Sequence, residues 1–362
     1  MSDNYLFALI ITVLLSFFFQ NHLRKAAIKI GLVDKPDHRK NHDGEIPLTG
    51  GIAIFFAFSF SVLLLGESIS NIRVFFSGAM ILMVVGVLDD LHEIKPAYRL
   101  YMQILVGFII FQFQGIQLVD FGQLLLEGNT LELRNFSLPI TIFAVVGVIN
   151  AFNMLDGIDG LAGSVATIIL FVLAMLALGN GDVSSFQLLG LLSAATFVFL
   201  IFNWCFLCRN KALVFLGDSG SLFIGFVVAY FMIKLSQGEG RAVVPVAALW
   251  LFAYPVIDTF TMMIRRIKKG RSPFNADREH FHHLLQLAGF SSHSTTSIII
   301  FINVLCIGIG VMIDRMGIVE SYAFYAFLLL FILYYLMIMR AWKVQRFLKR
   351  RLINHPLLNK GD

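Results

Sequence analysis

The segment Asn150-Ala-Phe-Asn-Met-Leu-Asp-Gly-Ile-Asp-Gly-Leu-Ala-Gly163 sets two carboxylates, Asp156 and Asp159, between two long apolar runs. An ionised group at the edge of hydrocarbon is costly, so it faces a polar cavity, a partner or a cation. Asn153, Asp156 and Asp159 recur every third residue, which on a helix would put them on one face. Gly157, Gly160 and Gly163 leave room for a ligand or a second helix to approach the backbone. The plainer reading is a polar turn between two membrane helices.

Two further segments carry carboxylates. Asp89 and Asp90 lie side by side ahead of Leu-His-Glu93-Ile-Lys95-Pro96. Adjacent carboxylates repel, so holding both ionised near lipid calls for a divalent cation or a nearby base. Magnesium suits such a pair, being a hard ion typically held by one or two carboxylates plus substrate phosphates. A solvated acidic helix end is the alternative. Phe215-Leu-Gly217-Asp218-Ser219-Gly220-Ser221 combines a carboxylate, two hydroxyls and glycines at the start of a helix. Free backbone N–H groups there favour phosphate, unless Asp218 or Ser219 simply caps the helix.

Basic and histidine residues gather in two long loops. The first, 21–47, holds Lys35, Arg39, Lys40 and His42, and Pro47-Leu-Thr-Gly-Gly51 follows it. Its cations are explained equally by phosphate contact and by retention on the cytoplasmic side. The second, 265–294, runs through Arg265, Arg266, Lys268, Lys269, Arg271-Ser272-Pro273-Phe274 and Asp277-Arg278-Glu279-His280-Phe281-His282-His283. With His293 it holds four of the nine histidines. No Cys or Glu pattern beside them matches a zinc spacing, so hydrogen bonds to phosphate or sugar hydroxyls are the expectation. Cys205 and Cys208 form a lone Cys-x-x-Cys without a second ligand pair and read as packing residues, as does Cys306.

The elements that must position these groups are membrane helices. Hydrophobic residues make up 58% of the 362-residue chain and charged residues 14%, which excludes an ordinary soluble domain. Windows of about 20 apolar residues place spans near 4–20, 48–66, 72–88, 100–119, 138–155, 161–179, 184–207, 213–235, 242–264, 295–314 and 319–341. The expected fold is therefore all-α, a polytopic integral membrane protein of about eleven transmembrane helices. The first span is expected to persist, because no Lys or Arg precedes it and no small-residue cleavage site follows. Residues 1–341 read as one catalytic membrane domain with loops at 21–47, 89–99, 156–160, 208–212 and 265–294, and 342–362 as a basic tail on the inner leaflet, dispensable for chemistry.

Only Arg73, Arg134, Lys234, Arg241 and Arg315 of the 28 basic residues fall outside one set of alternate loops. The positive-inside rule then puts the N-terminus outside and the C-terminus in the cytoplasm. The net charge of +5 is mostly this signal plus attraction to anionic lipid, and nothing accompanies it that would bind nucleic acid. Every acid and histidine segment named above lies on the cytoplasmic side. A transporter, the rival from another class, would need polar groups through the midplane and an internal repeat, and neither is seen.

Together Asp89-Asp90, Asn153-x-x-Asp156-Gly157-x-Asp159-Gly160 and Gly217-Asp218-Ser219-Gly220-Ser221 resemble the motifs of the polyprenyl-phosphate N-acetylhexosamine-1-phosphate transferases. The likeness spans about residues 20 to 290. In the large loop, Ser272-Pro273-Phe274, Asp277-Arg278 and His280-Phe281-His282-His283 look like the branch using UDP-GlcNAc, which initiates O-antigen, enterobacterial common antigen and teichoic acid linkage units. The branch acting on the pentapeptide precursor carries consecutive histidines there instead.

This resemblance implies transfer of a sugar 1-phosphate from a cytoplasmic UDP-sugar to undecaprenyl phosphate at the bacterial inner membrane, with release of UMP. It implies Mg2+, or Mn2+ in its place, held by Asn153 and Asp218. It puts Asp89 and Asp90 near the lipid phosphate and Asp156 and Asp159 on the uridine or sugar side. His280, His282, His283 and Arg265 fall to the sugar and phosphates, with Lys35, Arg39, Arg271, Asp277 and Arg278 as further substrate contacts. Direct displacement and a covalent aspartyl-phosphate route both stay open, as does another UDP-N-acetyl sugar. Family members are often homodimers, although no span here carries a strong dimer motif.

Overall fold

The computed structural model describes residues 3–35, 44–66, 69–125, 129–204, 212–273 and 279–353, with side chains as far as Lys343. Helix α1, Asp3–Ile30, leads into a pair of two-residue strands, in which β1, Val33–Asp34, pairs antiparallel with β2, Ile46–Pro47. Then come α2, Gly50–Val62; α3, Ile69–His92; α4, Pro96–Gln114; α5, Ser137–Leu155; and α6, Leu161–Gly179. Helices α7, Val183–Asn203; α8, Gly217–Ser236; α9, Pro245–Leu251; and α10, Ala253–Lys268, follow. The chain continues through α11, Phe281–Leu287; α12, Ser292–Arg315; and α13, Glu320–Ile353.

The protein is an all-α polytopic membrane protein. Among the described residues, eight helices are long and apolar enough to cross a bilayer, and nine if α9 and α10 count as one bent span. The other two expected spans coincide with α2 and α4. Helix α2 has 13 residues, a rise of about 20 Å against roughly 30 Å of hydrocarbon. Helix α4 spans 19 residues but carries Arg99 and three glutamines.

The expected single span at 242–264 is broken at Phe252, where α9 and α10 meet at 77°. Pro255 explains the break: it has no N–H to give, and its ring would clash with the carbonyl of Leu251 four residues back. At the other end, α13 runs through the expected boundary at 341–342 without interruption, and Trp342 is buried.

Helix α8 is the centre of the bundle, buried along nearly its whole length and packed against α3 and α5 on two sides. Small residues make that possible. A Cβ on Gly86 would lie 2.2 Å from Ser219 Cα, and one on Gly51 would lie 2.1 Å from Gly220 Cα. Both contacts are backbone against backbone, so neither can relax by a rotamer change. They bring the C-terminal end of α3 and the N-terminal end of α2 onto the first turn of α8, the turn that carries Asp218.

Candidate active site

The two adjacent acids of α3 part company. Asp89, 6% exposed, accepts from Arg99 Nη1 at 2.5 Å. Asp90 turns to α8, taking the backbone N–H of Asp218 on Oδ1 at 2.7 Å and that of Ser219 on Oδ2 at 3.1 Å. The repulsion anticipated between neighbouring carboxylates is thus answered by a guanidinium for one and by a helix N-terminus for the other. Those two N–H groups are consequently taken. The α8 terminus is capped from α3, and neither Asp218 nor Ser219 caps it. Gly217, at φ +76°, fits where a Cβ would meet Asp90 Oδ2 at 2.7 Å.

The side chain of Asp218 then faces α4 and α5. Its Oδ1 accepts from Asn153 Nδ2 at 2.6 Å and lies 3.3 Å from Arg99 Nη1. Asn153 Nδ2 also reaches Ser221 Oγ at 2.7 Å. Arg99 therefore bridges Asp89 and Asp218 across two helices. Its position at the start of α4 resembles an ordinary positive-inside charge, and only the spatial pairing marks it out.

Helix α5 ends at Leu155, so Asn153 sits on a helix while Asp156 and Asp159 occupy the turn that follows. The single helical face expected for the three does not form. Gly160, at φ +79°, closes this turn, and its N–H donates to Asn203 Oδ1 at 2.8 Å. Thr296 of α12 holds the carbonyl of Asp159 at 3.1 Å.

Asp156 is open to solvent on its surface, yet the protein enclosing the recess pushes its pKa up to about 8, helped by the charges of Asp218, Asp90, Asp159 and Asp34. An acid whose folded pKa is raised contributes stability below its unfolded pKa, near ~4, and loses that contribution as pH rises through the folded value. Asp156→Asn cannot ionise. Between pH 5 and pH 9 its melting midpoint in detergent is therefore expected to fall less than that of the unaltered protein, and parallel curves would refute the shift.

The histidine segment lies across α10. His280 and His282 are 4% and 2% exposed. Burial, then the charges of His283 and His280, pushes the pKa of His282 down to about 3, so in the ligand-free protein it is a neutral imidazole at neutral pH. Its Nε2 has no hydrogen-bond partner among the described residues and points at Gly157, where a Cβ would come within 2.5 Å. Arg266, 2% exposed, donates from Nη1 to the carbonyl of Pro273 at 2.7 Å and contacts His280 Nε2 at 3.3 Å.

These groups surround a cavity of about 450 Å³. Arg99, Asn153, Gly157, Arg266, His282 and His283 are in its wall, and it borders the Asp89–Arg99–Asp218 cluster through Arg99 and Asn153. Its size falls within the usual range for small-molecule sites.

The structure brings together Asp89, Asp90, Asn153, Asp156, Asp218, His280, His282 and His283. It places others apart. Arg265 pairs with Glu279 and stacks its guanidinium 5.0 Å from the Trp342 ring, while its neighbour Arg266 lines the cavity. Arg271 is exposed, and Lys35 faces Glu45 at 3.7 Å. Arg39, Asp277, Arg278, Cys205 and Cys208 lie outside the described residues. Arg99, Arg266 and Asp258 are participants that spacing did not reveal. Asp258 had a signal, as the one acid within the apolar run 242–264.

A polytopic helical bundle with a carboxylate, guanidinium and imidazole recess at one end defines an integral-membrane enzyme with a polar site beside lipid. Residues 72–236 match the family described as glycosyl transferase family 4. The undecaprenyl-phosphate alpha-N-acetylglucosaminyl 1-phosphate transferase of Yersinia pestis is 39% identical over 343 residues, covering 94% of this chain and 93% of the relative. Proteins of the same name from Escherichia coli K12 and Pasteurella multocida are each 36% identical, over 90% and 95% of this chain and 89% and 96% of their own. The chain belongs to glycosyl transferase family 4 and is a transferase.

Proposed function

We propose that the protein transfers N-acetylglucosamine 1-phosphate from UDP-GlcNAc to undecaprenyl phosphate, releasing UMP, on the cytoplasmic face of the bacterial inner membrane. The observation that carries this reading is the joining of Asp89, Arg99, Asp218 and Asn153 at the border of a cavity whose wall holds a second arginine and three histidines. The relatives' shared name points to the same reaction.

In that reaction a lipid phosphate oxygen bonds to the β-phosphorus of the nucleotide sugar, and the bond from that phosphorus to the bridging oxygen breaks as UMP departs. A phosphate monoester with a second pKa near ~6 is already mostly dianionic at neutral pH, so the attack needs no strong base. The protein's task is positioning and charge neutralisation. Arg99 faces phosphate from the acid cluster, Arg266 faces it from the histidine wall, and neutral His282 offers Nε2 as a hydrogen-bonding partner. Asp90, with both oxygens engaged on α8, is poorly placed to be a covalent nucleophile, which favours direct displacement. Inversion at a chiral transferred phosphorus is the expected stereochemical result.

The donors fit a hard divalent cation. Asp89 and Asp218 already share one positive charge, the Arg99 guanidinium, and Asn153 has an amide oxygen that a half-turn of its last bond would present. Asp218 and Asn153 would hold Mg2+, or Mn2+, which when bound supplies charge neutralisation on the pyrophosphate. Purified protein with undecaprenyl phosphate, radiolabelled UDP-GlcNAc and Mg2+ is expected to move label into an organic-extractable product and to stop on adding EDTA. Transfer from UDP-GalNAc but not UDP-GlcNAc would change the sugar alone, and failure with every UDP-sugar would refute the reading.

A further inference from the structure

The C-terminal helix α13 reaches the histidine segment at two points. Trp342 Nε1 donates to the carbonyl of Glu279 at 3.1 Å, and Tyr334 Oη donates to Asp258 Oδ1 at 2.7 Å. Asp258 lies on α10, 6% exposed, and uses its other oxygen to accept from His280 Nδ1 at 2.7 Å. A guanidinium can only donate, so the 3.3 Å contact between Arg266 Nη2 and His280 Nε2 makes that ring nitrogen the acceptor. The two partners together fix the imidazole with its proton on Nδ1. The opposite tautomer would set a bare nitrogen against a carboxylate and an N–H against a guanidinium, two repulsions in a buried place.

Arg266 depends on this ring. One of its amino groups is held by His280 and the other by the Pro273 carbonyl, and together they set the plane of a guanidinium that is 2% exposed and lines the cavity. Asp258 and Tyr334 do not line that cavity. We propose that Asp258 and Tyr334 are positioning residues that hold His280 in the Nδ1-protonated tautomer and through it aim Arg266 at the nucleotide-sugar phosphates. The substrate half of this inference rests on the reading of the cavity given above. It also gives α13 a part in the chemistry, because Tyr334 supplies the hydrogen bond that orients the carboxylate.

The test uses the full-length enzyme in detergent. Asp258→Asn can turn its amide to donate to Nδ1, which moves the ring proton to Nε2 and sets it against Arg266. It is expected to raise the KM for UDP-GlcNAc by about 10- to 100-fold, leaving the KM for undecaprenyl phosphate unchanged. In an Arg266→Lys background the same change should cost less than about 2-fold, since its effect passes through Arg266. An equal factor in both backgrounds, or an equal rise in both KM values, would overturn the proposal. If Asp258→Asn fails to fold, Tyr334→Phe carries the test, with an expected loss of roughly 3- to 10-fold and the same background dependence. Nitrogen-15 spectra of the ligand-free protein, with His280 assigned by difference against His280→Gln, read the tautomer without substrate. A bare Nε2 that gains a proton in Asp258→Asn is expected, and a ring protonated on Nε2 in the unaltered protein would overturn the proposal even if the enzyme transfers a different sugar.

Discussion

Asp218→Asn is expected to lower turnover by about 10³-fold or more while the protein still folds and inserts. Two features separate those outcomes. The carboxylate is the meeting point of the site: its Oδ1 takes Asn153 Nδ2 at 2.6 Å and Arg99 Nη1 at 3.3 Å. An amide keeps the shape and one acceptor but loses the negative charge that faces Arg99 and that, on the function proposed above, would hold a divalent cation. The fold is indifferent to that charge. Helix α8 is capped through the backbone N–H of Asp218, which the substitution leaves intact. Initial rates of lipid-linked sugar formation, taken with a thermal midpoint, check both halves, and near-normal turnover would remove Asp218 from the site.

Asp90→Ala has the opposite balance, losing stability as well as rate. It orphans two N–H groups at the start of the most buried helix, which costs about 2 kcal/mol or more. The first turn of α8 then loses the anchor that fixes Asp218, so a fall in turnover of about 10²-fold accompanies the lower melting midpoint. Asp90→Asn, with one acceptor oxygen left, should lie between the two. An Asp90→Ala protein that melts at the unaltered temperature but turns over no substrate would mean that Asp90 acts on the reactants and not on the helix.

The helices were legible in the sequence because a lipid-facing helix must be apolar all round, and the acid motifs because charge at the rim of the bilayer is conspicuous. Less visible was what each charge does. Asp89 and Asp90 read as one acidic pair, yet a helix turns about 100° per residue, so neighbours point to different partners, here Arg99 and α8. Arg265 and Arg266 divide in the same way, the first onto Glu279 and Trp342, the second onto the cavity. Periodicity could not have told which of two adjacent arginines faces inward, because both lie in the polar last turn of α10. The break at Phe252 was within reach, since Pro255 stands in the middle of the expected span. The reach of α13 back to Asp258 was not, because a tyrosine in a membrane helix carries no sign of the residue its hydroxyl will meet.

The first turn of α8 is shared property. Helix α2 touches it through Gly51, α3 caps it with Asp90, α4 meets it through Arg99, and α5 reaches it with Asn153. All four neighbours precede it in the chain, so a ribosome delivers the partners of the acid cluster before the turn that joins them, and the histidine wall after it. Until Gly217–Ser221 emerges, Asp90 has no N–H groups to accept and Asn153 lacks the carboxylate it donates to. Closure of the acid cluster is therefore timed by the arrival of one short turn in the middle of the bundle, and completion of the cavity waits for the histidine segment after it.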